Sequence, residues 1–141
     1  MLVQLYLHFD GRCEEALEFY AQAVGAKTEM LMRYRDSPEG PPPGVNLAGK
    51  ESWVMHASFR VGDSVVMASD DCTGKHGGFA GFQLSLSVAD EAEAEQRFTA
   101  LVQGGQVKMP LAKTFFSPSF GMLVDRFGVS WMVIVSGSPA K

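Results

Sequence analysis

The groups on this chain able to do chemistry near neutral pH are few, with three histidines and two cysteines among its 141 residues. His56 stands in Met55-His56-Ala57-Ser58-Phe59-Arg60, and on a strand the alternation of side chains puts His56, Ser58 and Arg60 on one face. An imidazole titrates close to neutrality, which makes His56 the candidate general acid or base, with Arg60 holding it neutral and anchoring an anionic ligand. The competing reading is a histidine bonded to a neighbouring strand for structural reasons alone. Tyr6 and His8 form a similar pair on an earlier strand, and Gln83 and Ser85 share one face of a later one. Tyr6, His8, Ser58, Arg60, Gln83 and Ser85 are therefore the candidate ligand-binding residues beside a catalytic His56.

Other reactive groups read as structural. His76 lies in Gly74-Lys75-His76-Gly77-Gly78, a flexible connector without the strand-to-helix context of a phosphate loop. Asp70 and Asp71 are adjacent, so on a strand they point to opposite sides and suit a turn or an edge. Asp125-Arg126-Phe127-Gly128 reads as a hairpin turn. Cys13 falls in a first helical turn, where the dipole lowers a thiol pKa, but its spacing from Ala16, Leu17 and Tyr20 turns it inward. Met30, Met32, Met55 and Met109 fall on strands and read as core. Phe115 and Phe116 must cover something, either as a core plug or as an aromatic lip. No nucleophile-elbow, Walker or dinucleotide motif is present, and no cofactor is expected.

The elements that must position these residues occur twice. Leu5, Leu7 and Phe9 alternate with Gln4, Tyr6 and His8 as in a half-buried strand, and Gly11 to Val24 shows helical spacing closed by Gly25. Lys27 to Tyr34 returns as a strand. The pattern recurs from Leu84 through a helix opened by an Asp90/Glu93 capping box and closed by Gly104-Gly105. Phe98 lies 79 residues after Phe19, as Gly104 does after Gly25 and Met109 after Met30, which marks an internal repeat. Two hairpins follow the helices, turning at Gly62-Asp63 and at Phe127-Gly128, and Met132 lies 65 residues after Met67. The difference of 14 places an insertion at 36–50, whose proline and glycine content specifies a surface loop.

These spacings predict an α+β single domain over 1–141, built of two βαβββ modules at 1–72 and 79–141. The modules are expected to share one curved mixed sheet of roughly eight strands with helices on its outer face. Alternation assigns Leu5, Leu7, Phe9, Trp53, Met55, Ala57, Phe59, Val61, Leu84, Leu86 and Val88 to the helix side. Gln4, Tyr6, His8, His56, Ser58, Arg60, Gln83, Ser85 and Ser87 fall opposite, on a cup too polar to pack dry. A formal charge of −4 supplies no basic field for nucleic acid, and no apolar run reaches the roughly 20 residues of a membrane helix. The N-terminus lacks the pattern of a signal peptide, so a cytoplasmic protein is expected, with Cys13 and Cys72 as free thiols.

Leu5-Tyr6-Leu7-His8-Phe9-Asp10-Gly11 with Glu15-Ala16-Leu17-Glu18-Phe19-Tyr20 resembles the PhnB-like branch of the vicinal oxygen chelate superfamily, which includes glyoxalases, bleomycin-resistance proteins and extradiol dioxygenases. Gly104-Gly105-Gln106-Val107-Lys108-Met109-Pro110-Leu111 and Phe120-Gly121-Met122-Leu123-Val124-Asp125-Arg126-Phe127-Gly128-Val129-Ser130-Trp131-Met132 extend the likeness over nearly the whole chain. The resemblance implies a homodimer, consistent with strand edges that one copy leaves unpaired. It also implies four metal-ligand positions, which fall on Gln4, Met67, Gln83 and Met132. Two amides and two thioethers offer a divalent ion no imidazole and no charge, so no metal is expected there. A shifted site using His8, His56 and Asp70 or glutamates of the loop stays open, because one step of register slip exchanges the faces.

Relatives of this branch have been called ubiquinone-pathway methyltransferases, yet the chain has no glycine-rich turn for such a cofactor. The expected function is binding of a small organic molecule in the cup, by sequestration or sensing. A His-based or metal-dependent isomerase, lyase or oxygenase, and a protein acting through its dimer surface, are the alternatives.

Overall fold

The structure is a computed structural model that describes residues 1–41 and 43–136. Pro42 of the insertion and the end of the second module, 137–141, lie outside the described residues. The chain divides into two compact units, Met1–Gly77 and Gly78–Lys141, each built as strand, helix and three strands.

The first unit runs β1 (Tyr6–Phe9), α1 (Cys13–Val24), β2 (Lys27–Arg33), β3 (Val54–Val61) and β4 (Ser64–Asp70), in the sheet order β1-β4-β3-β2. The second runs β5 (Leu84–Val88), α2 (Glu91–Leu101), β6 (Gln106–Ala112), β7 (Phe120–Val124) and β8 (Ser130–Val135), in the order β5-β8-β7-β6. Each sheet is mixed, its first strand parallel to its last and the other pairs antiparallel. The expected single sheet is thus replaced by two separate four-stranded sheets. Strand patterning predicts which residues alternate, but not which edges join.

Register confirms the duplication. Tyr6 pairs with Met67 and Ser85 with Met132, reproducing the offsets of 79 and 65 residues. β7 follows an offset of 64 instead, since Ala57 partners Ala68 while Gly121 partners Val133. The second hairpin is one residue longer than the first. Val61 and Ser64 close around Gly62-Asp63, whereas Asp125 and Val129 are bonded across three residues with Gly128 at φ 90°.

Each helix buries its apolar stripe on one face of its sheet. Cys13, Ala16, Leu17, Tyr20 and Val24 of α1 meet a core that includes Leu7, Phe9, Ala57 and Phe59. Tyr20 stacks on Phe59 with ring centroids 5.9 Å apart. Gly25, at φ 69°, ends α1 in a left-handed cap whose N–H bonds the Tyr20 carbonyl. In the second unit Asp90 caps α2 by accepting from the Glu93 N–H, while Glu93 reaches the Ala89 N–H.

A β-bulge corrects the predicted faces of β3. Met32 partners His56 and Arg33 partners Val54, leaving Met55 as the extra residue. Val54 is therefore buried on the helix side, while Met55 and Trp53, both assigned there by alternation, are only half-buried. Trp53 instead lies against Gly11, leaving no room for a β-carbon at that position. Beyond the bulge His56, Ser58 and Arg60 keep the face opposite α1.

Candidate functional site

The polar face of the first sheet gathers an aromatic and imidazole cluster. Leu7 and Phe9 of β1 are buried toward α1, so Tyr6 and His8 emerge on the other face. The Tyr6 phenol lies across β4 and reaches His56 on β3, with Oη and Nδ1 3.0 Å apart. Tyr6 also stacks on His8, ring centroids 4.7 Å apart, and lies 5.6 Å from the His56 ring. When the phenol donates to Nδ1, His56 carries its proton on Nε2 and presents that N–H as a donor. The pair can thus offer one hydroxyl and one imidazole to a single molecule.

Two groups support this cluster. Ser69 Oγ lies 3.3 Å from His8 Nδ1 and is buried. The His8 carbonyl accepts from His76 Nε2, which must be protonated to donate and which ties the connector to β1. Ser69 was missed among the candidates, although its place two residues after Met67 puts both on the cup face.

The remaining candidates are placed differently. Ser58 partners Met67, the strand neighbour of Tyr6, and so joins the same row. Arg60 directs its guanidinium at Glu29, 3.0 Å away, and at the Asp63 carbonyl. Gln83 and Ser85 belong to the second unit, where the Gln83 amide donates to Met122 Sδ at 3.4 Å and Ser85 partners Met132. An open groove of about 530 Å³ beside the first unit's N-terminal segment is lined by Leu2, Val3, Gln4, Leu5, Asp63, Ser64, Val65 and Val66, and contains none of Tyr6, His8 and His56.

Asp70 is not an edge residue, and its carboxylate is occupied by backbone amides. It is 2% exposed, and its carboxylate accepts from the backbone N–H groups of Gly11, Cys13 and Val54, each at 2.9 Å. It pins the β1–α1 turn, the start of α1 and the bulge of β3 to β4. Asp71 turns outward, and bonds from Thr73 hold its carboxyl below the ordinary carboxylate range. Burial, with the Asp70 and Glu14 charges adding to it, pushes the Cys13 thiol far up, against the direction of a helix dipole. Cys13 and Cys72 are both free and buried. Burial, followed by the hydrogen bond shared with Cys72, also raises the Tyr34 phenol, which donates to the Asp70 carbonyl.

The four positions that the resemblance assigns to divalent-ion ligands do not carry a matching donor set. Gln4 and Met67 in the first unit and Gln83 and Met132 in the second supply neutral amides and thioethers, which do not fit a hard or borderline divalent ion. The Asp70 oxygens are engaged by backbone amides, and among the described residues no three His, Cys, Asp or Glu, the loop glutamates included, converge to hold a metal.

Residues 2–134 match the family described as 3-demethylubiquinone-9 3-methyltransferase. The chain belongs to that family. It is 31% identical to protein YjdN of Escherichia coli (strain K12), over 96% of this chain and 97% of that protein. Protein PA1353 from Pseudomonas aeruginosa shares 40% identity with a TM-score of 0.81, covering 96% of this chain and 98% of the other. The PhnB protein from Bacillus cereus shares 30% with the same TM-score, over 96% and 100%. The fold is shared with a glyoxylase/bleomycin resistance protein/dioxygenase domain from Frankia sp. EAN1pec, at 11% identity and a TM-score of 0.68, over 97% and 98%.

The methyl transfer in the family's description needs a donor cofactor, and the first strand-to-helix turn does not fit one. Gly11 is covered by Trp53, and the amides of Gly11 and Cys13 are taken by the Asp70 carboxylate. An anion already caps this helix start, so these amides are not free for a cofactor's acidic group.

Proposed function

We propose that this PhnB-like protein binds a small organic molecule on the polar face of its first sheet, held by Tyr6, His8 and His56 with Ser58 beside them. The observation that carries the reading is the Tyr6–His56 hydrogen bond laid across β4, a half-buried pair with spare donor and acceptor capacity next to an exposed imidazole. Flat rings at Tyr6, His8 and His56 suit stacking against an aromatic ligand, and the ring N–H groups suit its carboxylate or phenolate. Arg60 completes the proposed set on this face by exchanging Glu29 for the anion, and Gln83 and Ser85 are proposed as ligand contacts on the second unit's own sheet. The assembly we propose is a homodimer in the cytoplasm, acting on neither nucleic acid nor membrane.

The test is a panel of small aromatic carboxylates and phenols added to protein with isotope-labelled histidine, followed by nuclear magnetic resonance. Ligands of the proposed class shift the His8 and His56 ring signals. Tyr6→Phe and His56→Ala lower the affinity roughly tenfold while leaving thermal unfolding nearly unchanged. Shifts confined to His76, or affinity indifferent to both substitutions, would reject the site.

A second reading draws on the same pair, because a phenol hydrogen-bonded to an imidazole is a ready route for moving a proton to or from a bound molecule. On that reading bound members of the panel are converted by the unaltered protein and not by His56→Ala, as mass spectrometry would show.

A further inference from the structure

In the second sheet, strand register sets three methionines side by side. Met132 of β8 partners Met122 of β7, and Met122 partners Met109 of β6. The three share the face turned away from α2, because the alternating neighbours Gly121, Leu123, Trp131 and Val133 are the buried ones. Met109 joins this row only through a bulge. Val107 partners Leu123 and Met109 partners Met122, so Lys108 is an extra residue and the alternation of β6 changes face there. Met109 is 41% exposed and the other two are half-buried, which leaves all three open to solutes.

We propose that Met109, Met122 and Met132 bind a soft monovalent cation of the Cu(I) class. Directly opposed residues on neighbouring strands bring their β-carbons to about 5 Å, and the three rotatable bonds of methionine let the sulfurs converge from that spacing. Thioethers are neutral, polarizable donors that favour Cu(I) over Zn(II) or Mg(II), and a singly charged ion loses less hydration on meeting neutral donors than a doubly charged one does. Met122 Sδ already accepts from the Gln83 amide, which fixes that sulfur within the row. Alongside lies an apolar row, Phe120 partnered with Ile134, with Phe116 packed against Phe120 at 5.0 Å. The duplicated row in the first unit provides an internal comparison. It reads Tyr6, Met67, Ser58, Met30, so its methionines are separated by Ser58 and the site belongs to the second unit alone.

The experiment uses the full chain with carbon-13 on its methionine methyls, titrated with Ag(I) as a redox-stable probe and then with Cu(I) against a competing chelator. Met109, Met122 and Met132 account for three of the eight methyl signals, and these shift together and saturate at one equivalent. Met122→Leu weakens Cu(I) binding roughly tenfold or more, and so does Met109→Leu, which alters an exposed side chain without touching the core. Met30→Leu leaves the affinity unchanged, and Zn(II) does not compete. The proposal is overturned if no methyl shifts at one equivalent, if Met30 and Met67 shift instead, or if Met109→Leu binds as tightly as the unaltered chain. Uptake lost in a folded variant with Cys13 and Cys72 both replaced by Ala would overturn it equally.

Discussion

A carboxylate and a thiol near the start of α1 carry effects that their sequence positions do not announce. Asp70 satisfies three backbone donors from three different segments, so Asp70→Ala strands them in the interior. The expected loss is about 3–5 kcal/mol by urea unfolding, and a loss under roughly 1 kcal/mol would show that water or another group takes its place. Cys13 has its folded pKa raised, chiefly by burial. Its contribution to stability is complete below the ordinary thiol value of 9.0 and declines above it, because only the unfolded chain then releases the proton. Unfolding midpoints of the unaltered chain and Cys13→Ala, compared from pH 8 upward, should converge as the pH rises; a constant gap would contradict this. The same burial makes Cys13 resist alkylation until the chain unfolds. Glu14 behaves in the opposite sense. Arg33, bonded to it at 2.6 and 3.1 Å, lowers its carboxyl, so its contribution is present above the ordinary carboxylate range and fades as acid protonates it. Glu14→Gln should therefore differ from the unaltered chain at neutral pH and match it in strong acid.

At the scale of elements, turns and bulges decide which face each side chain uses. Gly105 illustrates how tightly they are fixed, since a β-carbon there would stand 2.1 Å from the Val124 carbonyl oxygen, a backbone atom that cannot move aside alone. Gly105→Ala is expected to cost about 2–4 kcal/mol by thermal or urea unfolding, whereas Gly25→Ala, with open space around it and only its φ of 69° against it, should cost about 1 kcal/mol. Equal costs would show that the α2–β6 turn yields. Helix stripes, hairpin positions and the Asp90 cap were legible from spacing because each rests on residues close in sequence. The bulges at Met55, Glu29 and Lys108 were not, since each is defined only by the partner strand. Their consequence is that Met30 and Met109, read as core, are each 41% exposed. Phe115, 90% exposed, is likewise no core plug; the bonds between Thr114 and Ser117 hold the turn that presents it.

At the scale of the whole chain, the insertion is the one large difference between the duplicated units. Its ends are tied down where Tyr34 and Arg35 bond the carbonyls of Trp53 and Glu51, and the described residues between 38 and 46 are exposed or half-buried. Replacing 39–46 with a short glycine-serine turn should change stability by less than about 1 kcal/mol in urea unfolding, because loop closure depends only weakly on length. A larger loss would mean that the loop covers part of the first unit. The sequence by itself determined the duplication and the order of elements in each unit, for these follow from residue identity and local period, and it showed no charged or imidazole donor at the four coordinating positions that the resemblance implies. Only the tertiary structure decided that there are two sheets, that Asp70 serves three amides, that Tyr6 meets His56 across an intervening strand and that three methionines align. Hydrogen bonds and register between segments far apart in the chain fix those facts, and no local pattern encodes them.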